Sequence, residues 1–239
     1  MTLKIAYCAG HGVNTPGKQT PDGEKEWSFN NKVARAFADE IQKYEGVQLL
    51  RTDDPTGKID VPLKTRTDKA NAWGANVYIS FHHNANTGKW GEWTGVETHV
   101  YKTKPADSVR LAKLVQPAIV KAYGLRDRGI KYTDLHITRE TKCTAILIEG
   151  GFMDSRIDIK KLRDDKVLEK AGWLIAQAVA KYAKLKRKEE PKPTLKPTPK
   201  TTSKDNLYRV QVGAFNDKKN AERLVAELKK KGYPAFITK

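Results

Sequence analysis

The chain is poor in cysteine, with two thiols in 239 residues, Cys8 and Cys143, each set in an apolar, strand-like stretch. That scarcity excludes a disulfide scaffold, which a chain of this length does not need to bury a core, and both residues are expected to be buried free thiols. No apolar run approaches the roughly 20 residues of a membrane span. Met1-Thr2-Leu3-Lys4-Ile5 lacks the apolar stretch of a signal peptide, so the expectation is synthesis in the cytoplasm without a leader. Acidic residues are also in short supply, 28 against 45 Lys and Arg, which leaves a formal net charge of +17. Residues 184 to 239 hold 16 Lys/Arg and 6 Asp/Glu, so +10 of the excess lies in the tail. A field of that size asks for a polyanionic partner. Nucleic acid is disfavoured, because the tail has no zinc knuckle, no RNP motif and few aromatic rings on which bases could stack. Phosphate-rich polymers or an anionic surface satisfy the same electrostatics. The competing reading is a lysine face that only keeps the protein soluble.

Hydrophobic patterning alternates between strand and helix. Leu3 to Ala9 is an apolar, β-prone run ending at Gly10. Phe29, Val33, Phe37, Ile41 and Tyr44 then trace a helical stripe with Glu26 at its amino-terminal edge. Strands are expected at Val47–Leu50, Val77–Phe81, Val96–Tyr101, Leu135–Thr138 and Ala145–Ile148, and helices from Pro62 to Trp73, from Asp107 to Tyr123 and through Val167 to Tyr182. The pattern predicts an α/β domain over residues 1–185, a twisted, mostly parallel or mixed sheet with helices on both faces. Residues 186–205, with Pro191, Pro193, Pro197 and Pro199 among lysines and threonines, read as an extended linker. In residues 206–239, Leu207 to Phe215 alternates like a strand, Ala221, Leu224, Val225 and Leu228 mark a helix, and Tyr233 to Ile237 forms a second strand. A single βαβ unit of this size buries too little to stand alone, so self-association with a second copy is expected.

Three segments carry the chemistry: Gly10-His11-Gly12 followed by Glu26, Ser80-Phe81-His82-His83-Asn84, and Glu149-Gly150-Gly151-Phe152. Each delivers an acid/base or metal-binding side chain where a strand ends or a helix begins, which is where open α/β sheets build their sites. His11, Glu26 and His82 form a His2Glu set, the donor type of a catalytic zinc centre that keeps one position open. Two alternatives accompany it. His83 adjoins His82, and strand alternation lets only one of the pair enter the site; Glu24 competes with Glu26. Glu149 closes a buried strand, where a carboxylate needs a partner: it is a general base, or a structural carboxylate paired with Arg66 or Arg139. Asn84 and Asn86 lie near enough to bind substrate, while His99 and His136 read as structural or solvent-facing. Gly150-Gly151 is expected to turn the chain away after the strand.

These motifs, with Val33-Ala34, Arg66, Ala70-Asn71 and Gly95-Val96-Glu97, resemble the zinc-dependent N-acetylmuramoyl-L-alanine amidases of the third amidase class, in order over residues 1 to 184. The resemblance implies zinc held by His11, Glu26 and His82, catalysis by Glu149, and as substrate the amide joining the muramic acid lactyl group to L-alanine in peptidoglycan. Cys8-Ala9 stands where the family commonly has Asp-Pro, and His82-His83 where it has His followed by Ala. The tail, from Tyr208-Arg209-Val210-Gln211-Val212-Gly213-Ala214-Phe215 onward, resembles half of a sporulation-related (SPOR) repeat. That implies binding to peptidoglycan, with anionic wall polymers as a further partner of the basic tail. The combination resembles a phage endolysin or a mother-cell autolysin, acting on the cell wall after release. The rivals are a zinc peptidase cutting within the stem peptide and a non-catalytic basic wall-binding protein.

Overall fold

The computed structural model describes residues 2–189 and 211–237. The chain divides into two compact units, Met1–Glu190 and Pro191–Lys239. In the first, the order is β1 (Leu3–Ala9), α1 (Glu26–Ile41), β2 (Val47–Arg51), α2 (Leu63–Trp73), β3 (Val77–Asn84), β4 (Val96–Tyr101), α3 (Ala106–Tyr123), β5 (Asp127–Thr133), α4 (His136–Glu140), β6 (Thr144–Phe152), α5 (Ile159–Leu162) and α6 (Asp165–Tyr182). The six strands form one sheet in the order β2-β1-β3-β6-β4-β5. All neighbours are parallel except β4 and β6, which run antiparallel. The expected α/β architecture is present, with a mixed sheet.

Period-two alternation divides β1 between two cores. Ile5, Tyr7 and Ala9 face α1, α3 and α6, whereas Ala6 and Cys8 pack with Tyr78, Ala145, Ala70 of α2 and Ile137 of α4. The stripe Phe29, Val33, Phe37 and Ile41 is buried in the larger core, where each such side chain is worth about 1.5–3 kcal/mol over exposure. At Gly172 of α6 a Cβ would overlap the α1 backbone at Val33 and Phe37, so glycine sets how closely these two helices approach. The chain winds from β1 through α1 to β2 on one side, then through α2 to β3 on the other. The loops leaving β1 and β3 therefore diverge and open a crevice at their carboxyl ends.

Three local expectations are corrected. Leu135–Thr138 is not a strand but the start of α4, where Thr138 Oγ1 donates to Leu135 O and Thr141 Oγ1 to Ile137 O, so local side-chain bonds and packing of Ile137 override its β-propensity. The unforeseen β5 is an edge strand whose charges and Gly129 hide its periodicity. Gly150-Gly151 does not turn the chain away, since β6 runs through both to Phe152 with Gly151 at φ 111°. Cys8 and Cys143 are free, Cys8 buried and Cys143 only partly so. Lys186 to Lys188, the expected start of the linker, are tied to the end of α1 by Glu45 N to Lys186 O, Lys188 N to Lys43 O, and Arg187 to Glu40.

In the second unit α7 (Lys218–Lys230) is capped by Asp217, which accepts from Lys219 N at 2.8 Å. Of the two expected flanking strands, residues 207–210 lie outside the described residues, and residues 211–215 and 233–237 form no strand. Two strands beside one helix would each be an edge, and a two-stranded ribbon is marginal in water. Val212, Phe215, Tyr233 and Phe236 remain exposed.

One buried carboxylate fixes the β3–β4 loop: Asp154 Oδ2 accepts from the amides of Asn86, Thr87 and Gly88, each at 2.8 Å, and Oδ1 from Trp93 Nε1 at 2.7 Å. An amide there must turn N–H toward donors on one side. Asp154→Asn is expected to lower stability by about 2 kcal/mol or more in urea unfolding; an unchanged midpoint contradicts this anchoring.

Candidate metal centre

His11 is the first residue past Gly10 after β1 and sits at φ 63°, a left-handed conformation uncommon for a residue with a side chain and concentrated at functional turns. Gly10 continues the ladder by donating to Phe81 O at 2.8 Å, and a Cβ there would overlap the His82 ring. Glu26 opens α1, where a helix amino terminus favours negative charge. His82 follows Phe81 on β3, and alternation turns it toward the α2 face while His83 turns into the larger core.

The three side chains converge. His11 Nε2 lies 3.4 Å from Glu26 Oε2, and His82 Nδ1 3.1 Å from Glu26 Oε1. One donor atom from each falls within 4.8 Å of the others, and the two imidazoles meet edge to face. Ser80 Oγ, 3.0 Å from His82 Nε2, holds the ring by its far nitrogen and is itself 3.2 Å from Cys8 Sγ. A metal-binding imidazole needs such a partner on its second nitrogen. Burial drives the His11 pKa down to about 4 against the pull of Glu26, so the ring is neutral and can ligate at neutral pH. Burial pushes Glu26 up, but the hydrogen bond from His82 leads the interactions that outweigh it and hold the carboxyl at about 2. Two imidazoles and one ionised carboxylate are the donor set that fits a divalent cation. A cavity of about 300 Å³ opens beside them, lined by His11, His82, Ser80, Cys8, Arg66 and Leu63.

Glu149 is the register partner of His82 on β3 and of Glu97 on β4, so the three occupy one row across the sheet. The two carboxylates differ sharply. Glu97 accepts from Arg128 Nε at 2.7 Å and Asn84 Nδ2 at 3.1 Å, and lies 3.2 Å from His99 Nε2. The contacts with His99 and Arg128 overcome its burial and hold it at about 2. Glu149 Oε2 is buried with no hydrogen-bond partner, and burial, then the charges of Glu26 and Glu97, raise its pKa well above the carboxylate range. Their surroundings thus push two neighbouring carboxyls in opposite directions. The structural partners considered for Glu149 are engaged elsewhere: Arg66 donates to Val61 O, Ala9 O, His11 O and Asp60, and Arg139 pairs with Asp134 and Glu140.

Glu24 is bound by Arg163 and lies outside the cluster, and His83 is buried away from it. His99 serves Glu97, while His136 Nε2 is 3.4 Å from Thr67 Oγ1. Asn86 is tied to Asp154 through its main chain. Sequence reasoning missed Asn30, Ser80 and Tyr123 as supports of the site. Asn30 carried a signal, four residues after Glu26 on one helix face; Tyr123 carried none. Gly10→Ala is expected to abolish stoichiometric binding of a divalent cation, measured by elemental analysis, while far-ultraviolet circular dichroism stays that of the folded chain. Retained metal in this variant contradicts the geometry.

Comparison with known proteins agrees with this architecture. Residues 5–181 match the family model described as N-acetylmuramoyl-L-alanine amidase, and residues 175–239 match the SPOR domain, the start of that second match overlapping α6. The chain is 31% identical over 98% of its length to a sporulation-specific N-acetylmuramoyl-L-alanine amidase of Bacillus subtilis (strain 168), covering 84% of that protein. It is 32% identical to an endolysin of Bacillus phage SPP1, over 86% of this chain and 78% of the relative. Among solved structures, an N-acetylmuramoyl-L-alanine amidase from Clostridium difficile 630 superposes with a TM-score of 0.70 at 31% identity, over 77% of this chain and 97% of the other. With a matching model over most of its length and a fold shared with solved members, the chain belongs to the N-acetylmuramoyl-L-alanine amidase family, a family of cell-wall hydrolases.

Proposed function

We propose that the chain is a zinc-dependent amidase that separates the lactyl group of muramic acid from L-alanine in peptidoglycan, with His11, Glu26 and His82 as metal ligands and Glu149 as general base and acid. The observation that carries this is the convergence of two imidazoles and a carboxylate beside a second carboxylate whose buried oxygen has no partner. Zinc bound there supplies Lewis acidity toward water and toward the scissile carbonyl.

The chain's own residues do the rest. Glu26 would neutralise part of the charge of a bound cation, and Ser80 keeps the His82 ring oriented. Glu149, without a competing hydrogen bond on Oε2, takes the proton from the attacking water and returns it to the leaving amine of L-alanine. Glu97, locked by Arg128, stays ionised and supplies the negative field that helps keep Glu149 basic. The basic tail and its SPOR match support docking to the wall, including anionic wall polymers, and the exposed apolar residues of the second unit support self-association. Among the described residues no helix is long and apolar enough to cross a membrane.

Glu149→Gln is expected to retain one zinc per chain and to lose about 10²-fold or more in amide cleavage; His82→Ala is expected to lose the metal. Mass analysis of digested walls should find new L-alanine amino termini and intact lactyl groups. Cuts within the stem peptide instead, or near-normal rates for Glu149→Gln, contradict the assignment.

A further inference from the structure

Behind the ligands, on the opposite face of β3, lies a closed polar chain that the reaction does not use directly. Asn30, fully buried one turn after Glu26, spends both hydrogens of Nδ2: one on Gly10 O at 3.1 Å, one on Glu26 Oε1 at 3.2 Å. A backbone carbonyl only accepts, so the first bond fixes which way the amide points, and Oδ1 must face His83 Nδ1, 2.7 Å away. His83 is therefore the Nδ1–H tautomer. Its bare Nε2 accepts from the hydroxyl of Tyr123, at 3.1 Å, at the carboxyl end of α3. The His83 main-chain amide donates to Glu26 Oε1 at 3.3 Å. Beside this, a Cβ at Gly150 would overlap the Tyr123 hydroxyl and crowd His83 Nε2, so the residue after Glu149 must be small for the chain to close.

We infer that His83 is a positioning residue, which through Asn30 clamps the Glu26 carboxylate and the Gly10 carbonyl before His11 into the spacing that two imidazoles and one carboxylate need around a cation. The inference rests on the zinc reading above. Its physical basis is that Asn30 reaches two of the three ligand segments with one amide. His83 holds that amide from the third segment, and Tyr123 holds His83. All three side chains are buried, so bulk solvent does not supply the partner that a missing member would leave behind. Supporting hydrogen bonds of this kind are worth about 10–100-fold in metal affinity.

The test uses the full chain and zinc in competition with a chromophoric chelator, comparing wild type, His83→Asn and His83→Gln. Asparagine places an N–H donor where Nδ1 stood and can still hold Asn30; glutamine restores only the group facing Tyr123. The expected result is a zinc dissociation constant close to wild type for His83→Asn and weaker by about 10–100-fold for His83→Gln. Equal constants for the two variants, or affinities that merely follow the thermal stability of the zinc-free proteins, overturn the inference. A measurement on the unaltered protein guards against misfolding: nitrogen NMR of the zinc-free chain should show His83 protonated at Nδ1 and bare at Nε2, and the reverse tautomer overturns the inference. Wild type that takes up no zinc defeats the metal reading and this inference together. One zinc bound, with both variants alike, defeats only the relay.

Discussion

The contact of one buried carboxylate with two imidazoles is the constraint around which the domain is arranged. Glu26 is ionised and almost fully withdrawn from water, a costly state unless opposite charge and hydrogen-bond donors surround it. Those donors arrive from the end of β1, from β3 and from within α1 itself. Only the crevice where the chain reverses its winding direction brings these segments to one point, so the strand order and the site are the same fact seen at two scales. Glycine at position 10 is part of it, since the backbone there runs where a side chain would displace His82.

A second asymmetry divides two facing carboxylates. Glu97 and Glu149 stand opposite each other on antiparallel strands, and the donors go to one of them alone. His99 and Arg128 hold the proton affinity of Glu97 low; Glu149 sits beside that fixed negative charge with an unpaired oxygen and is pushed the other way. A buried orphan oxygen is destabilising for the fold, which is the sign expected of a group kept for proton transfer.

Much of this was legible in the residues. The spacing of Phe29, Val33, Phe37 and Ile41 yields α1, and the placement of Glu26 at its head follows. Alternation along Ser80 to Asn84 separates His82 from His83 because neighbouring strand positions face opposite ways. What stayed hidden has physical causes. Strand β5 is an edge whose residues are at most half-buried, so it needs no apolar period. The Leu135–Thr138 run carries strand-like composition, but α4 is decided by where Ile137 can be buried. Polar chains such as Tyr123–His83–Asn30 depend on contacts between distant segments, and no local pattern announces them. The tail was read as strand, helix and strand, and only its helix is found among the described residues, because strands without a sheet to join have no fixed partners.

The proposed centre requires a single divalent ion held by His11, Glu26 and His82. Anomalous scattering at the zinc absorption edge from crystals of the full chain would locate that ion. One peak is expected at about 2.0–2.2 Å from a nitrogen of each histidine and an oxygen of Glu26. A zinc peak centred on other residues, or none in protein that cleaves its substrate, contradicts it.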